Sequence, residues 1–385
     1  MKRKICVVIT ARPSYARVRT ALEAIRDHPG LELQLVVAAS ALLDRYGNAV
    51  NIIEQEGFKI DRQVYMILEG ENLVTSAKST GLGLAELATV FDNLRPDMVV
   101  TIADRFETMA TAVAAAYMNI PLAHVQGGEI TGSIDEKVRH AITKLADLHL
   151  VSSDRAAERV VRMGENPDRV FVTGCPSIDL ARLARDAEPR DIGAVLSDYG
   201  GVGSEVDISE GYIVVLQHPV TTEYELALDH VTHTLSAVRE GHYPTLWFWP
   251  NVDAGSDGTS KGIRVYREHY PMSRVHFYKN MTPLDFLSVL INSKCLVGNS
   301  SVAIRECAYL GVPAVNIGSR QHGRDRGRNV IDVGYDEAEI RAAIDRCWTS
   351  DERGTDTIYG DGEAGRNIAD VIAKAELSIE KTLNY

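Results

Sequence analysis

Between residues 124 and 140 the chain reads HVQGGEITGSIDEKVRH, gathering His124, Gln126, two glycines, Glu129, Asp135, Glu136, Arg139 and His140 in one span after an apolar run. Carboxylates at this density suit the collection and return of protons at a substrate carbon or oxygen. A glutamine among them carries no titratable proton, so it acts through hydrogen bonds alone. Upstream, TIADRFET sets Asp104 and Arg105 just after another β-branched run. Asp104, Glu129 and Asp135 are therefore candidates to face one pocket, with a scatter of surface acids as the competing reading.

A second group of residues has the chemistry of an anion site. CLVGNS runs into SVAIRECAYLG, so Gly298, Asn299, Ser300 and Ser301 form an expected strand-to-helix turn. Backbone N–H groups and hydroxyls there suit a phosphate, and equally serve as a plain helix cap. Glu306 in the following helix has the reach to accept from ribose hydroxyls, or to lie in solvent. His218 closes the run YIVVLQH, where an imidazole donates to phosphate or moves a proton near neutral pH. Asn251 leaves another strand in WPNVDAGS, and NIGSRQHGRDRGRN brings Arg320 with further arginines. In TARPSYARV, Arg12 and Arg17 stand where a dinucleotide-binding turn would carry GxGxxG, which argues against a nicotinamide cofactor.

These residues need elements to hold them. The runs ICVVIT, LELQLVVAAS, DMVVTIA, PLAHVQ, LHLVSS and RVFVTG alternate with helical patterns such as YARVRTALEAIRDH and FETMATAVAAAYMN. Such alternation predicts an α/β fold with a parallel sheet and helices on both faces. The rhythm lapses over 183–210, rich in glycine and acids, and restarts with YIVVLQHP, TLWFWPN, VHFYKN, CLVGNS and AVNIG. The expectation is a Rossmann-like domain over 1–185, a second over 186–360, and a helix in 361–385 packing back on the first. Ligands of such sheets bind beyond the C-terminal ends of the strands, where the residues above fall.

Bulk properties narrow the classes. With 385 residues the chain can build two cores, and 45% hydrophobic with 24% charged residues is ordinary globular composition. A formal net charge of −12 excludes a broad basic surface for nucleic acid and leaves local phosphate pockets. No apolar run reaches membrane-spanning length, and MKRKICVVIT reads as a first strand rather than a signal peptide. Cys6, Cys175, Cys295, Cys307 and Cys347 are far apart without a CxxC pair, as expected of free thiols in a cytoplasmic protein. Cys175 in VTGCPS lacks an adjacent base and reads as a small buried residue rather than a nucleophile. HExxH, a Cys/His cluster, a P-loop and GxSxG are all missing, so neither a metal nor a serine nucleophile is expected.

Taken in order, TARPSY, YGNAVNIIEQEGF, DRFE, HVQGGEITGSIDEKVRHAITKLAD, HPVTT, NVDAGS, GNSSVAIRE and GSRQHGR resemble the hydrolysing UDP-N-acetylglucosamine 2-epimerases over nearly the whole chain. The non-hydrolysing epimerases are more distantly similar. The resemblance implies a GT-B architecture, two Rossmann-like domains with a nucleotide sugar in their cleft and a C-terminal helix crossing back. It implies no cofactor, a small nucleotide sugar as ligand, and a homodimer or homotetramer. Asp104 and Asp135 match two acids that the family uses in catalysis, and Glu129 and His218 complete the expected catalytic set. Arg12, Arg17, Arg105, His124, Gln126, Asn251, Ser300, Ser301, Glu306 and Arg320 are expected to bind the substrate.

The family reaction is anti elimination of UDP to a 2-acetamidoglucal, then syn addition of water to release N-acetylmannosamine, a step of sialic-acid-type synthesis. Other readings stay open: the same reaction on UDP-2,4-diacetamido-trideoxyglucose, as in legionaminic acid synthesis; a non-hydrolysing epimerase; a GT-B glycosyltransferase; a UDP-sugar sensor without turnover. The chain departs from many relatives at Gln126, where they carry glutamate, and at Ser14, where they carry an acid. Both departures lie on the sugar side and leave the UDP expectation untouched.

Overall fold

Strands such as MVVTI at 98–102, buried at all five residues, need both faces of a sheet covered, and helices supply that cover. The computed structural model describes residues 2–44, 49–69, 73–130, 134–250, 256–270, 274–279, 281–350 and 352–384. Its first sheet contains β1 (Arg3–Ile9), β2 (Leu31–Ala38), β3 (Arg62–Val64), β4 (Met98–Ile102), β5 (Leu122–Val125), β6 (Leu148–Val151) and β7 (Val170–Val172). These pair in parallel in the order β3-β2-β1-β4-β5-β6-β7. The second contains β8 (Val202–Gly203), β9 (Ile213–Leu216), β10 (Thr245–Phe248), β11 (Val275–Tyr278), β12 (Cys295–Gly298), β13 (Ala314–Ile317) and β14 (Val330–Val333). Its order is β14-β13-β12-β9-β10-β11-β8, parallel except for the short antiparallel edge β8.

Each order runs outward and then jumps back past its starting strand, so winding reverses between β1 and β4 and between β9 and β12. Loops leaving the two strands at such a point turn to opposite faces and open a crevice at the strands' C-terminal ends. Arg12 follows β1, Asp104 and Arg105 follow β4, His218 follows β9, and Ser300 follows β12.

The period of two along each strand divides the cores. Ile5, Val7 and Ile9 join Leu35, Val37 and Val100 on one face of the first sheet, while Cys6 and Val8 join Val36 and Val99 on the other. In the second sheet Ile213, Val215, Trp247 and Val297 share one face, and Val214, Leu246, Phe248 and Leu296 the opposite one. The first compact unit takes in Met1–Ile130, Ile134–Asp179 and Tyr359–Tyr385, and the second contains Leu180–Ile358. The division falls inside the helix Pro176–Asp186, a few residues before the loss of rhythm that suggested 185. Among the described residues no helix is long and apolar enough to cross a membrane.

The helix Ala364–Lys374 belongs to the first unit, where Ile368, Ala369 and Ile372 enter the core beside Val7 and Leu22. Its nominal cap, Glu363, makes no capping side-chain bond. Asp179, remote in sequence, does this instead: its carboxylate accepts from the N–H of Ala364 at 2.8 Å and of Gly365 at 2.7 Å, and from Thr20 Oγ1 at 2.8 Å. A negative charge on the first N–H groups of a helix satisfies orphan donors and opposes the positive end of the dipole. Replacing Asp179 by Ala is expected to cost about 1–2 kcal/mol and to raise amide exchange across 364–374. A urea midpoint and exchange pattern equal to wild type would show that the cap contributes nothing.

Candidate functional site

The strand ends of the first unit are turned by residues that are poor at turning. Ala39, Ala103 and Gln126 directly follow β2, β4 and β5, and they hold φ of 55°, 66° and 65°. A left-handed conformation costs a residue with a Cβ roughly 1–2 kcal/mol, so these three geometries need outside support. For Ala103 the support is His124, whose Nε2 bonds the Ala103 carbonyl at 2.9 Å while Nδ1 meets Thr143 Oγ1 at 3.2 Å. For Gln126 it is Arg139, whose Nη1 donates to the Gln126 carbonyl at 2.6 Å.

Arg139 also pairs through Nη2 with Asp104 Oδ2, and both side chains are buried. One guanidinium therefore ties the end of β4 to the end of β5. The side chain of Gln126 is fully buried, and its Nε2 donates to Cys175 Sγ at 3.1 Å. Its Oε1 has no hydrogen-bond partner among the described residues. Glu129, 4% exposed, accepts from Ser152 Oγ at 2.5 Å. Gly128 between them has φ 75°, and a Cβ there would lie 2.2 Å from the Ala156 carbonyl oxygen, so only glycine lets this loop approach the helix Asp154–Arg162.

The second unit is built around a neutral hub. Asn299, fully buried, accepts from the His218 N–H through Oδ1 at 2.7 Å and donates through Nδ2 to the His218 carbonyl at 2.8 Å. This reciprocal pair locks the end of β9 to the end of β12. The Asn299 carbonyl in turn accepts from Arg320 Nη1 at 3.2 Å and Gln321 Nε2 at 2.8 Å, which brings in the loop after β13. Gly298 makes the turn with φ 132°, and a Cβ would meet the Leu216 carbonyl at 2.3 Å. Ser300 Oγ accepts from the Val302 N–H at 3.4 Å, capping a 3-10 turn Ser301–Ala303. The helix after it, Glu306–Leu310, is one short turn, so the strand-to-helix turn expected from the sequence is a 3-10 turn that offers local N–H and hydroxyl donors.

Asp104 and Gln126 come together on Arg139 in the first unit, with Glu129 three residues further along the same loop and bonded to Ser152; His218, Ser300 and Arg320 come together around Asn299 in the second. Arg12 begins the short helix Arg12–Ala16, half-buried, and burial lowers its pKa; Arg17 caps the same helix at its C-terminal end. Arg105 is held by the buried Glu107, Nε to Oε2 at 3.2 Å. Glu306 is half-buried, and its Oε2 has no hydrogen-bond partner among the described residues. His124, expected to touch substrate, is instead wholly buried with both ring nitrogens occupied, which makes it a brace for Ala103. Asn251 and the side chain of Asp135 lie outside the described residues. Cys175 is fully buried, in keeping with a structural thiol. Among the described residues no group of three or more His, Cys, Asp or Glu converges as a metal site would.

The UDP-N-acetylglucosamine 2-epimerase family model matches residues 23–373. A relative from Legionella pneumophila, UDP-N,N'-diacetylbacillosamine 2-epimerase (hydrolyzing), is 31% identical over 94% of this chain and 93% of its own. UDP-N-acetylglucosamine 2-epimerase from Neisseria meningitidis is 28% identical over 98% of this chain and 96% of its own. The crystal structure of Methanocaldococcus jannaschii UDP-GlcNAc 2-epimerase in complex with UDP-GlcNAc and UDP has a TM-score of 0.77 at 16% identity, covering 97% of this chain and 100% of that one. At that identity the likeness shows the fold, a two-domain α/β architecture of the GT-B class.

Buried imidazoles give the stability a pH dependence. Burial lowers the His124 pKa from 6.5 to about 3, opposed by its bond to Ala103 and assisted by Arg139. Burial likewise lowers His149 against the pull of Glu165, and burial with the nearby Arg320 holds His218 well below its ordinary value. Below the unfolded value near 6.5 the unfolded chain takes up protons that these folded imidazoles refuse, so stability is full above that pH and falls as pH drops. The urea midpoint is expected to be lower at about pH 5.5 than at about pH 7.5; an equal or higher midpoint in acid contradicts it.

Proposed function

The chain belongs to the UDP-N-acetylglucosamine 2-epimerase family, and from that membership we propose a hydrolysing enzyme that converts UDP-N-acetylglucosamine and water to N-acetylmannosamine and UDP. The observation that carries the reading is the Asp104 carboxylate held beside Gln126 just past β4, one of the two strands where winding reverses. A fixed carboxylate there is suited to collecting a proton from a sugar carbon.

The C2 proton of the sugar is not acidic, so the C1–O bond to UDP breaks ahead of or with its removal. The electron pair of the C–H bond forms the C1–C2 double bond of a 2-acetamidoglucal, the proton passes to a carboxylate, and UDP departs with the C1–O pair. Asp104 and Asp135 are assigned this proton work, with Glu129 as the third acid. Water then adds, its oxygen to C1 and a proton to C2 on the inverted face. Negative charge on the departing diphosphate is assigned to Ser300, Ser301, Arg12 and Arg320, through preorganised donors that need no rearrangement as charge develops. His218, neutral by burial, donates or accepts a hydrogen bond rather than supplying a positive charge.

A second substrate has its own support. The Legionella pneumophila relative is named for a diacetamido sugar, and Gln126, whose buried Oε1 has no hydrogen-bond partner among the described residues, stands where many relatives carry glutamate. The alternative is therefore the same chemistry on a UDP-2,4-diacetamido sugar. Gln126 separates the two: Gln126→Glu is expected to raise the kcat/KM ratio of UDP-N-acetylglucosamine over the diacetamido sugar, and an unchanged ratio removes Gln126 from substrate choice.

The reaction class is tested by incubating the enzyme with UDP-N-acetylglucosamine in deuterated water. Free N-acetylmannosamine carrying deuterium at C2 is the expected product. UDP-linked N-acetylmannosamine would mark a non-hydrolysing epimerase, and untouched nucleotide sugar of both kinds despite binding would mark a sensor.

A further inference from the structure

Arg139 lies in the helix Ile134–Leu145, is 1% exposed, and is among the largest fully buried side chains of the molecule. Both of its amino groups are committed, Nη2 to Asp104 and Nη1 to the Gln126 carbonyl. Neither acceptor belongs to the hydrophobic core; Asp104 stands past β4, at the reversal of winding, and Gln126 past its neighbour β5. Any buried guanidinium needs acceptors for its N–H groups; what is particular here is that both are supplied by adjacent strand ends, one of them the carbonyl of a left-handed residue.

We propose that Arg139 is the positioning residue of the sugar-side chemistry, holding the Asp104 carboxylate and the Gln126 backbone at a fixed separation through the two arms of one planar guanidinium. The inference rests on the assignment of Asp104 to proton transfer. The fork matters because its two N–H arms diverge at a fixed angle, so the two acceptors are placed relative to each other as well as to the helix. A lysine keeps the charge and loses the fork. His124 braces Ala103 from the other side, so Asp104 is constrained through its backbone neighbour and through its carboxylate.

The test compares wild type with Arg139→Lys, Arg139→Met, Asp104→Asn and the double variant Asp104→Asn/Arg139→Met. The readouts are kcat and KM for UDP-N-acetylglucosamine, UDP affinity by calorimetry, and the unfolding midpoint. Arg139→Lys should fold, bind UDP as wild type does, and lose about 100-fold in kcat, the scale of a small misplacement of a reacting group, with KM little changed. In the Asp104→Asn background the Arg139→Met change should cost about tenfold or less in kcat, well short of a second full loss, since what Arg139 does through Asp104 is already gone and only its hold on Gln126 remains. The double variant removes both buried charges together, so it carries the comparison if Arg139→Met alone fails to fold.

Wild-type kcat in a folded Arg139→Lys, or losses from Asp104 and Arg139 that multiply in the double variant, would overturn the proposal. If the wild-type enzyme turns over neither sugar, the proposed function fails, and positioning is read from binding alone. Arg139→Lys should then lose the affinity that UDP-N-acetylglucosamine has beyond UDP, and an undiminished increment overturns it.

Discussion

A buried guanidinium and a buried carboxylate tolerate each other's company and little else. Removing one partner of such a pair strands the other charge at a cost of about 3–5 kcal/mol, far more than an exposed ion pair is worth. The Arg139–Asp104 pair therefore fixes more than two side chains. It fixes where the helix Ile134–Leu145 sits against β4 and β5, and through the Gln126 carbonyl it holds the loop that presents Glu129. The strained backbone at Ala103 and Gln126 is sustained by this arrangement and by the neutral His124. Taking the pair away releases several geometries together.

The second unit solves the same problem without charge. Its strand ends are joined by the Asn299 carboxamide, which exchanges two hydrogen bonds with the backbone of His218, and glycines, Gly298 and Gly318, make the turns at the ends of β12 and β13. The difference follows from what each side is proposed to hold. Proton transfer needs a carboxylate held rigidly, which calls for a cation to pair with it. A diphosphate needs open backbone N–H groups and close approach, which calls for glycine, hydroxyls and arginines.

The sequence displayed the sheets through their uninterrupted apolar runs, and it displayed Asp104, Gln126, His218 and Ser300 because each stands immediately beyond such a run. What it hid is what acts across elements. Arg139 was visible within HVQGGEITGSIDEKVRH, but as one polar residue on an amphipathic helix, with nothing in the spacing to aim it at Asp104. Asn299 looked like a cap residue, and its bridge to β9 depends on strand order, which periodicity does not encode. His124 read as a strand-end ligand because its position was right, whereas its burial against Ala103 and Thr143 is a property of packing. Asp179, which caps a helix nearly two hundred residues later in the chain, left no local signal at all.

The central claim is that the bond between the sugar and the diphosphate breaks at carbon, on the carboxylate side of the molecule, rather than at phosphorus by attack of water. Turnover in oxygen-18 water, followed by mass spectrometry of both products, tests this directly. The account predicts one heavy oxygen in the released sugar and none in UDP. Heavy oxygen in the UDP, with unlabelled sugar, would mean cleavage at phosphorus and would contradict it.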